Sequence, residues 1–196
     1  MGYLIIILVL IYIPVHIFIT FFVVRSFKKY TPEKLSISRL GTKKSPKAQL
    51  FNVSSFIIGV LIFLLGFSLS KYLDTSSLLL VSKSISGIGF ILILLSLLPY
   101  DRFPQAHDGV AVILMILIIL LSISFATEVY KVGLLPSYFI VISAVSMFCC
   151  LAFIYEIIKG YPKMRFPKAT WLWEWGLYFS QFALLFATCW HIIAKS

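Results

Sequence analysis

The stretch GVAVILMILIILLSISFAT, residues 109–127, contains no charged side chain and decides the fold class of this chain. A helix of about 20 apolar residues, with a rise of about 1.5 Å per residue, crosses the hydrocarbon core of a bilayer. Because lipid offers the backbone no hydrogen-bond partner, such a run must satisfy its own N–H and C=O groups as a helix. The stretch therefore predicts a transmembrane helix.

Five further apolar runs of similar length predict five more helices. The six spans are expected at residues 3–24, 50–70, 77–98, 109–127, 134–158 and 171–193. Of the 196 residues 61% are hydrophobic and 12% are charged, which is more apolar surface than one soluble core can bury. A β-barrel is excluded because the runs show no apolar/polar alternation and are too long for tilted strands. We therefore predict an all-α polytopic integral membrane protein, a compact six-helix bundle forming one transmembrane domain over residues 1–196.

The distribution of basic residues predicts the orientation of the bundle. Thirteen of the 17 Lys and Arg residues lie in the loops after the first, third and fifth spans, and three lie on the other side. Because basic loops remain in the cytoplasm, loops 25–49 and 159–170 are expected there, with both termini outside. The net charge of +10 is then mostly loop charge beside anionic headgroups. A nucleic-acid partner is not expected, since no basic face with interleaved aromatic residues is present. The cell membrane is the expected location.

Motifs of established chemistries are missing from the sequence. It contains no GxSxG, HExxH or phosphate-binding loop, and its three cysteines form no CxxC pair. We therefore predict no metal, no cofactor and no catalytic residue, and enzymatic activity is not favoured.

Polar residues inside the apolar runs are few. Lys83 is expected to extend to the headgroups, with a buried pair or ligand contact as the alternative. His16 is expected to be neutral and hydrogen-bonded within the bundle. Stripes of small residues on the second and third spans predict that helix backbones approach closely in a packed bundle. They are Gly59, Gly66, Ser82, Ser86 and Gly89.

The densest polar cluster is DRFPQAHD, residues 101–108. Its two carboxylates, arginine and histidine could bind an anionic headgroup or perform acid–base chemistry at the membrane face. Asp108 also reads as the N-cap of the fourth helix. Glu174, in the first turn of the sixth span, has no cation one turn away. Its partner is therefore expected to be a cation of another loop, such as Arg102 or Arg165.

Two groups of residues carry a resemblance to known families. The residues SISRLGT at 36–42, SP at 45–46, LFN at 50–52, and FP at 103–104 followed by HD at 107–108 resemble the prokaryotic six-helix membrane family catalogued as domain of unknown function 998. More distantly, the S-x-x-G-T pattern, the loop histidine and the Glu174-Trp175 pair are similar to the eukaryotic damage-regulated autophagy modulator and FGF-receptor-activating-protein group. The first resemblance implies a six-helix bundle without established chemistry. The second implies lipid-linked regulation or scaffolding.

Three functional hypotheses follow. The first is a non-enzymatic protein that binds membrane lipids with anionic headgroups, or a protein partner in the membrane, at its cytoplasmic face. The second is a membrane-embedded enzyme or carrier for a lipid-like substrate, with His107 and Asp108 handling protons. The third is a small subunit of a larger membrane complex.

The first hypothesis assigns a role to each candidate ligand-binding residue. Arg39, Lys43 and Lys44 are expected to hold the headgroup phosphate. Arg102 and His107 are expected to complete the site, with Glu174 orienting Arg102. Asp108 belongs to the same candidate set.

Overall fold

The computed structural model describes residues 2–28, 31, 36–70, 76–131, 135–160 and 170–195. Within these ranges the chain is helical and contains no β-strand. The six long helices are α1 (Gly2–Ser26), α2 (Ala48–Leu69), α3 (Ser76–Leu97), α4 (Pro104–Lys131), α5 (Tyr138–Gly160) and α6 (Thr170–Lys195), and a 3₁₀ helix (Ile37–Gly41) lies between α1 and α2. All six long helices have the length and composition to cross a membrane, which confirms the predicted all-α, six-span fold.

The ends of α4 differ most from the prediction. The helix begins at Pro104, because proline is favoured at the first helical position, where its missing N–H would have no intrahelical acceptor. The backbone N–H of His107 donates to the carbonyl oxygen of Phe103 at 2.8 Å and closes the first turn. Asp108 therefore lies inside the helix, and its expected role as N-cap is wrong. At the other end α4 continues past residue 127 to Lys131.

The helices form a closed ring around a shared apolar core. Each helix packs on its neighbours in the sequence, and α1 also packs on α6. The core contains fully buried side chains from all six helices, among them Val9, Ile62, Ile85, Leu121, Cys150 and Leu185. Large apolar side chains also cover the outside of the ring, as expected where lipid rather than water surrounds the helices.

The backbones of α2 and α3 approach each other closely. A Cβ atom on Gly59 would lie 2.9 Å from the backbone nitrogen of Ile93, and one on Gly66 or Gly89 would collide with the backbone of the opposite helix. The Ser82 hydroxyl donates to the carbonyl oxygen of Gly66 at 2.8 Å. The predicted close approach of backbones at small residues is confirmed, and the structure shows that the two stripes face each other. Glycine is required here because no side chain fits.

The two intramembrane residues singled out in the sequence differ in their surroundings. Lys83 is exposed on the surface of α3. His16 is buried, and its Nδ1 lies 2.8 Å from the hydroxyl oxygen of Ser54 on α2. The expectation of a hydrogen-bonded histidine within the bundle is therefore confirmed.

Candidate functional site at the basic end of the bundle

The basic end of the bundle is the end where α1 and α3 finish and where α2 and α4 begin. Residues 36–47, called here the cap segment, fold over this end as the 3₁₀ helix and a series of tight turns that lead into α2. The side chains of Ile37 and Leu40 are buried. They pack in an apolar cluster whose other members are Val23, Phe27, Phe51 and Trp175. The cap segment is therefore anchored to the bundle by its own apolar residues.

Glu174 of α6 binds the N-terminal end of the 3₁₀ helix. Its Oε2 accepts a hydrogen bond from the backbone N–H of Ile37 at 2.9 Å, and the N–H of Ser38 also donates to the carboxyl group. The first N–H groups of a helix have no intrahelical acceptor, and the side chain of Ser36 does not cap them. The carboxyl group of Glu174 therefore does what a capping residue does, although it comes from a helix far along the chain.

The expected pairing of Glu174 with Arg102 is wrong. The side chain of Glu174 accepts from backbone amides, and none of the described residues supplies it with a cation within 4.0 Å. Arg165, the other expected partner, lies outside the described residues. Glu174 therefore positions the cap segment and does not orient Arg102.

Two further side chains bind the backbone of the cap segment. Asp101, in the turn between α3 and α4, accepts a hydrogen bond at Oδ2 from the backbone N–H of Lys43 at 3.1 Å. Asn52 of α2 donates from Nδ2 to the carbonyl oxygen of Gly41 at 3.0 Å. A Cβ atom on Gly41 would collide with the side chain of Asn52, so this contact requires glycine. Three separate parts of the bundle thus hold one short segment.

The ring of Tyr100 contacts both Arg39 and His107. The guanidinium carbon of Arg39 lies 4.1 Å from the centroid of the Tyr100 ring, a cation–π contact. The same ring packs edge-on against the imidazole of His107, with 5.6 Å between the ring centroids. His107 is only 7% exposed, and its Nδ1 lies 2.7 Å from the carbonyl oxygen of Leu98. Since a carbonyl can only accept, Nδ1–H donates, and His107 joins the start of α4 to the end of α3.

A polar network lies beneath the cap segment. The hydroxyl oxygens of Thr20 and Tyr178 are 2.8 Å apart. The ring of Tyr178 also packs against His16, with 6.0 Å between the ring centroids, and His16 contacts Ser54 as described above. These residues join α1, α2 and α6 directly under the 3₁₀ helix, so the base on which the cap segment rests is itself cross-linked by hydrogen bonds.

Most of the exposed charged side chains that the structure describes at this end are basic. No Lys or Arg whose side chain is described at this end forms an ion pair within 4.0 Å. The acidic groups of Glu174 and Asp101 accept from backbone N–H groups instead, so they do not pair with the basic side chains around them. We name four of these residues the cationic cluster: Arg39, which is partly exposed, and Lys43, Lys44 and Arg102, which are exposed.

The other residues that the sequence suggested for this site are Asp108 and those of the second basic loop. Asp108 is exposed on α4, and no hydrogen bond joins it to His107. Of the second basic loop, Lys159 is described and exposed, whereas residues 161–169 lie outside the described residues. Within the described ranges no group of three or more His, Cys, Asp or Glu side chains is placed to hold a metal ion.

Glu128 is a buried acidic residue that the sequence analysis missed. Its side chain has 0% exposure, and neither carboxyl oxygen has a hydrogen-bond partner among the described residues. The predicted fourth span ended at residue 127 and so left Glu128 outside the helix. The helical spacing of the buried residues Ile118, Leu121, Phe125 and Glu128 is the signal that could have found it.

Comparison with known proteins identifies the family. The model of a family described as "Protein of unknown function (DUF998)" matches residues 10–191. The chain therefore belongs to the DUF998 family. No curated protein and no solved structure matches it.

Proposed function

We propose that this member of the DUF998 family is a non-enzymatic membrane protein whose cationic cluster binds the anionic headgroups of membrane lipids. One observation carries the proposal. The two acidic groups beside the cluster, Glu174 and Asp101, are occupied by backbone N–H groups of the cap segment. They hold the segment in place without pairing with its basic side chains.

The rigidity of the cap segment supports this function. Lys43 and Lys44 lie on a backbone that is fixed by two hydrogen bonds: Asp101 accepts one from the N–H of Lys43, and Asn52 donates one to the carbonyl oxygen of Gly41. Arg39 is held by the ring of Tyr100. Because the cap segment is already ordered, binding a phosphate does not have to pay the backbone entropy of folding a loop. Arginine and lysine are the side chains that bind phosphate groups in proteins.

The location of the cluster supports the choice of ligand. The cationic cluster lies at the ends of helices that cross the membrane, which is the level of the lipid headgroups. A basic residue near an anionic membrane surface contributes about 1 kcal/mol of attraction. The attraction is screened by salt, since the Debye length is only about 8 Å at physiological ionic strength. Binding should therefore weaken as salt is raised.

The enzyme or carrier hypothesis is less well supported by this geometry. It needs His107 and Asp108 to exchange protons with a substrate. His107 is almost fully buried and donates from Nδ1 to Leu98. No hydrogen bond in the described residues joins it to Asp108. The hypothesis of a small subunit in a larger complex is addressed by the experiment below.

The experiment is native mass spectrometry of protein exchanged into nanodiscs that contain phosphatidylglycerol and phosphatidylcholine. The test variant is the triple substitution Lys43→Gln, Lys44→Gln and Arg102→Gln. Lys83→Gln is the matched control, since Lys83 is exposed on α3 and outside the cluster. At about 1 kcal/mol per residue, the triple variant should retain phosphatidylglycerol on the order of 100-fold less strongly.

Two outcomes would contradict the proposal. One is equal retention of phosphatidylglycerol by the wild type, the triple variant and the control. The other is a second protein that remains tightly bound while no lipid is retained, and this result would favour the subunit hypothesis.

A further inference from the structure

The guanidinium group of Arg39 is held in place more firmly than the other charges of the cationic cluster. Its central carbon lies 4.1 Å from the centroid of the Tyr100 ring. The other three members of the cluster are exposed and have no cation–π contact within the described part of the chain. Arg39 is only partly exposed, and its backbone belongs to the 3₁₀ helix that Glu174 caps. Its charge is therefore fixed at one point of this end of the bundle.

The ring of Tyr100 is itself supported by the bundle. Tyr100 lies in the short turn between α3 and α4. Its ring packs edge-on against the imidazole of His107, with 5.6 Å between the ring centroids. His107 is buried, and its Nδ1–H donates to the carbonyl oxygen of Leu98 at 2.7 Å. Because the ring has this fixed neighbour, the position of Arg39 is set before any ligand binds.

The N–H donors of the Arg39 side chain have no acceptor among the described residues. A guanidinium group that packs on an aromatic ring contacts it through its face, and its N–H donors lie around its edge. No described residue accepts a hydrogen bond from the side chain of Arg39 or forms an ion pair with it. Two neighbouring N–H groups at such an edge match two oxygens of one phosphate, which is the bidentate arrangement that arginine forms with phosphates. Arg39 is therefore a preorganised pair of donors for an anion.

The level of Arg39 indicates which part of a lipid headgroup it meets. Tyr100 follows three residues after Leu97, where the membrane-spanning helix α3 ends. Three residues of chain reach at most about 10 Å. In a glycerophospholipid the phosphate is attached directly to the glycerol, so it is the charged group nearest to the hydrocarbon. The phosphate is therefore the part of the headgroup that Arg39 is placed to bind.

We propose that Arg39, oriented by Tyr100, binds the phosphate of a glycerophospholipid through two parallel hydrogen bonds. The proposal rests on the proposed function and deepens it by naming the class of lipid. That class is the glycerophospholipids whose phosphate has no cationic group beside it, as in phosphatidylglycerol. Phosphatidylserine has the same net charge, but its ammonium group lies beside the phosphate and repels the guanidinium group. A site that only sums charges would bind the two lipids equally, whereas this site distinguishes them.

The test is native mass spectrometry of the whole chain in nanodiscs that contain equal amounts of phosphatidylglycerol and phosphatidylserine. Arg39→Lys keeps the charge but removes the paired donors. Tyr100→Leu removes the aromatic ring, and Tyr100→Phe keeps it. The matched control is Arg25→Lys, since Arg25 is exposed at the end of α1 and outside the cluster. A second arm adds an excess of soluble glycerol phosphate, which measures whether a free phosphate ester occupies the site in place of the lipid.

The wild type should retain phosphatidylglycerol over phosphatidylserine on the order of tenfold, which is the contribution of a charge-assisted hydrogen bond. Arg39→Lys should remove most of this preference. Tyr100→Leu should lower it about two- to fivefold, which corresponds to an exposed cation–π contact. Tyr100→Phe should restore it, since the ring still contacts both of its neighbours. Arg25→Lys should behave like the wild type, and glycerol phosphate should not displace the lipid.

Three results would overturn the proposal: equal retention of both lipids by the wild type, an unchanged preference in Arg39→Lys, or displacement of the lipid by glycerol phosphate. Failure of the bidentate contact can be told apart from failure of the proposed function. If Arg39→Lys has no effect while the triple variant Lys43→Gln, Lys44→Gln and Arg102→Gln loses anionic lipid, the cluster acts by its net charge and only the bidentate contact is wrong. If the triple variant also retains lipid like the wild type, the proposed function is wrong as well.

Discussion

Removal of the Glu174 carboxyl group should release the cap segment from the bundle. In the Glu174→Ala variant the backbone N–H of Ile37 loses its acceptor at 2.9 Å. A hydrogen bond to a carboxylate contributes about 1.5–3 kcal/mol. Counting this one bond alone, the equilibrium for opening the segment should rise by about 10- to 150-fold, since each 1.4 kcal/mol is a factor of ten.

Amide hydrogen exchange measures this opening directly. Peptides that cover residues 36–42 should exchange about 10- to 150-fold faster in Glu174→Ala than in the wild type. Peptides from the middle of α2 should be unchanged, because the close contact between α2 and α3 does not involve the cap segment. Glu174→Gln should fall between the two, since its amide oxygen still accepts a hydrogen bond but without charge.

The control is Glu156→Ala on α5. Glu156 is a partly buried acidic residue whose side chain forms no hydrogen bond or ion pair within the described ranges. The Glu156→Ala substitution removes the same formal charge as Glu174→Ala but does not affect a contact of the cap segment. If residues 36–42 exchange at the wild-type rate in Glu174→Ala, or if Glu156→Ala accelerates them equally, then Glu174 does not hold the segment and the account of this end is wrong.

Three other predictions concern the fold, the cap segment and the orientation. Gly66→Ala should destabilise the bundle by about 1–3 kcal/mol, because the added Cβ collides with the backbone of α3. The control is Gly109→Ala, which should be neutral or slightly stabilising because its added Cβ meets nothing within 4 Å. The thermal stability of the two variants is compared with a thiol-reactive dye, which reports unfolding because all three cysteines are buried in the folded protein. Asn52→Ala should accelerate exchange at residues 41–43 by about two- to tenfold through loss of its bond to Gly41, and an unchanged rate would count against that contact. Lys44→Cys should react with a membrane-impermeant maleimide only after the cell membrane is opened, whereas labelling of intact cells would reverse the predicted orientation.

The six helices could be predicted because length and apolarity are local properties of each run. A span such as residues 109–127 needs no partner to be recognised, since the bilayer accepts its whole surface. The ends of α4 could not be predicted in the same way. Residues 104–108 and 128–131 contain charged or polar side chains that lower the mean hydropathy, although both segments also fit a helix. Hydropathy alone therefore does not locate the ends of this helix. For this reason the sequence predicts an N-cap at Asp108 and leaves Glu128 outside the fourth span.

The sequence suggests which residues could form the candidate site, but it does not show which groups they contact. The sequence drew attention to Arg39, His107 and Glu174, and the structure places them close to the cap segment or within it. It paired Glu174 with a cation because charge is visible in a sequence. A backbone N–H that lacks an acceptor is not visible, since it exists only once the 3₁₀ helix has formed and α6 has packed against it. The partner of Glu174 therefore could not be found before the structure.

Electron spin resonance with spin-labelled lipids measures whether the cationic cluster selects anionic lipid. The relative association constant of phosphatidylglycerol over phosphatidylcholine is compared for the wild type and the triple variant Lys43→Gln, Lys44→Gln, Arg102→Gln, each at low and high salt. At low salt the wild type should prefer phosphatidylglycerol on the order of 100-fold, at about 1 kcal/mol for each of the three substituted basic residues, and this preference should fall at high salt. The triple variant should lose most of that preference at both salt concentrations. An equal preference in both proteins, or one that salt does not change, would contradict the account.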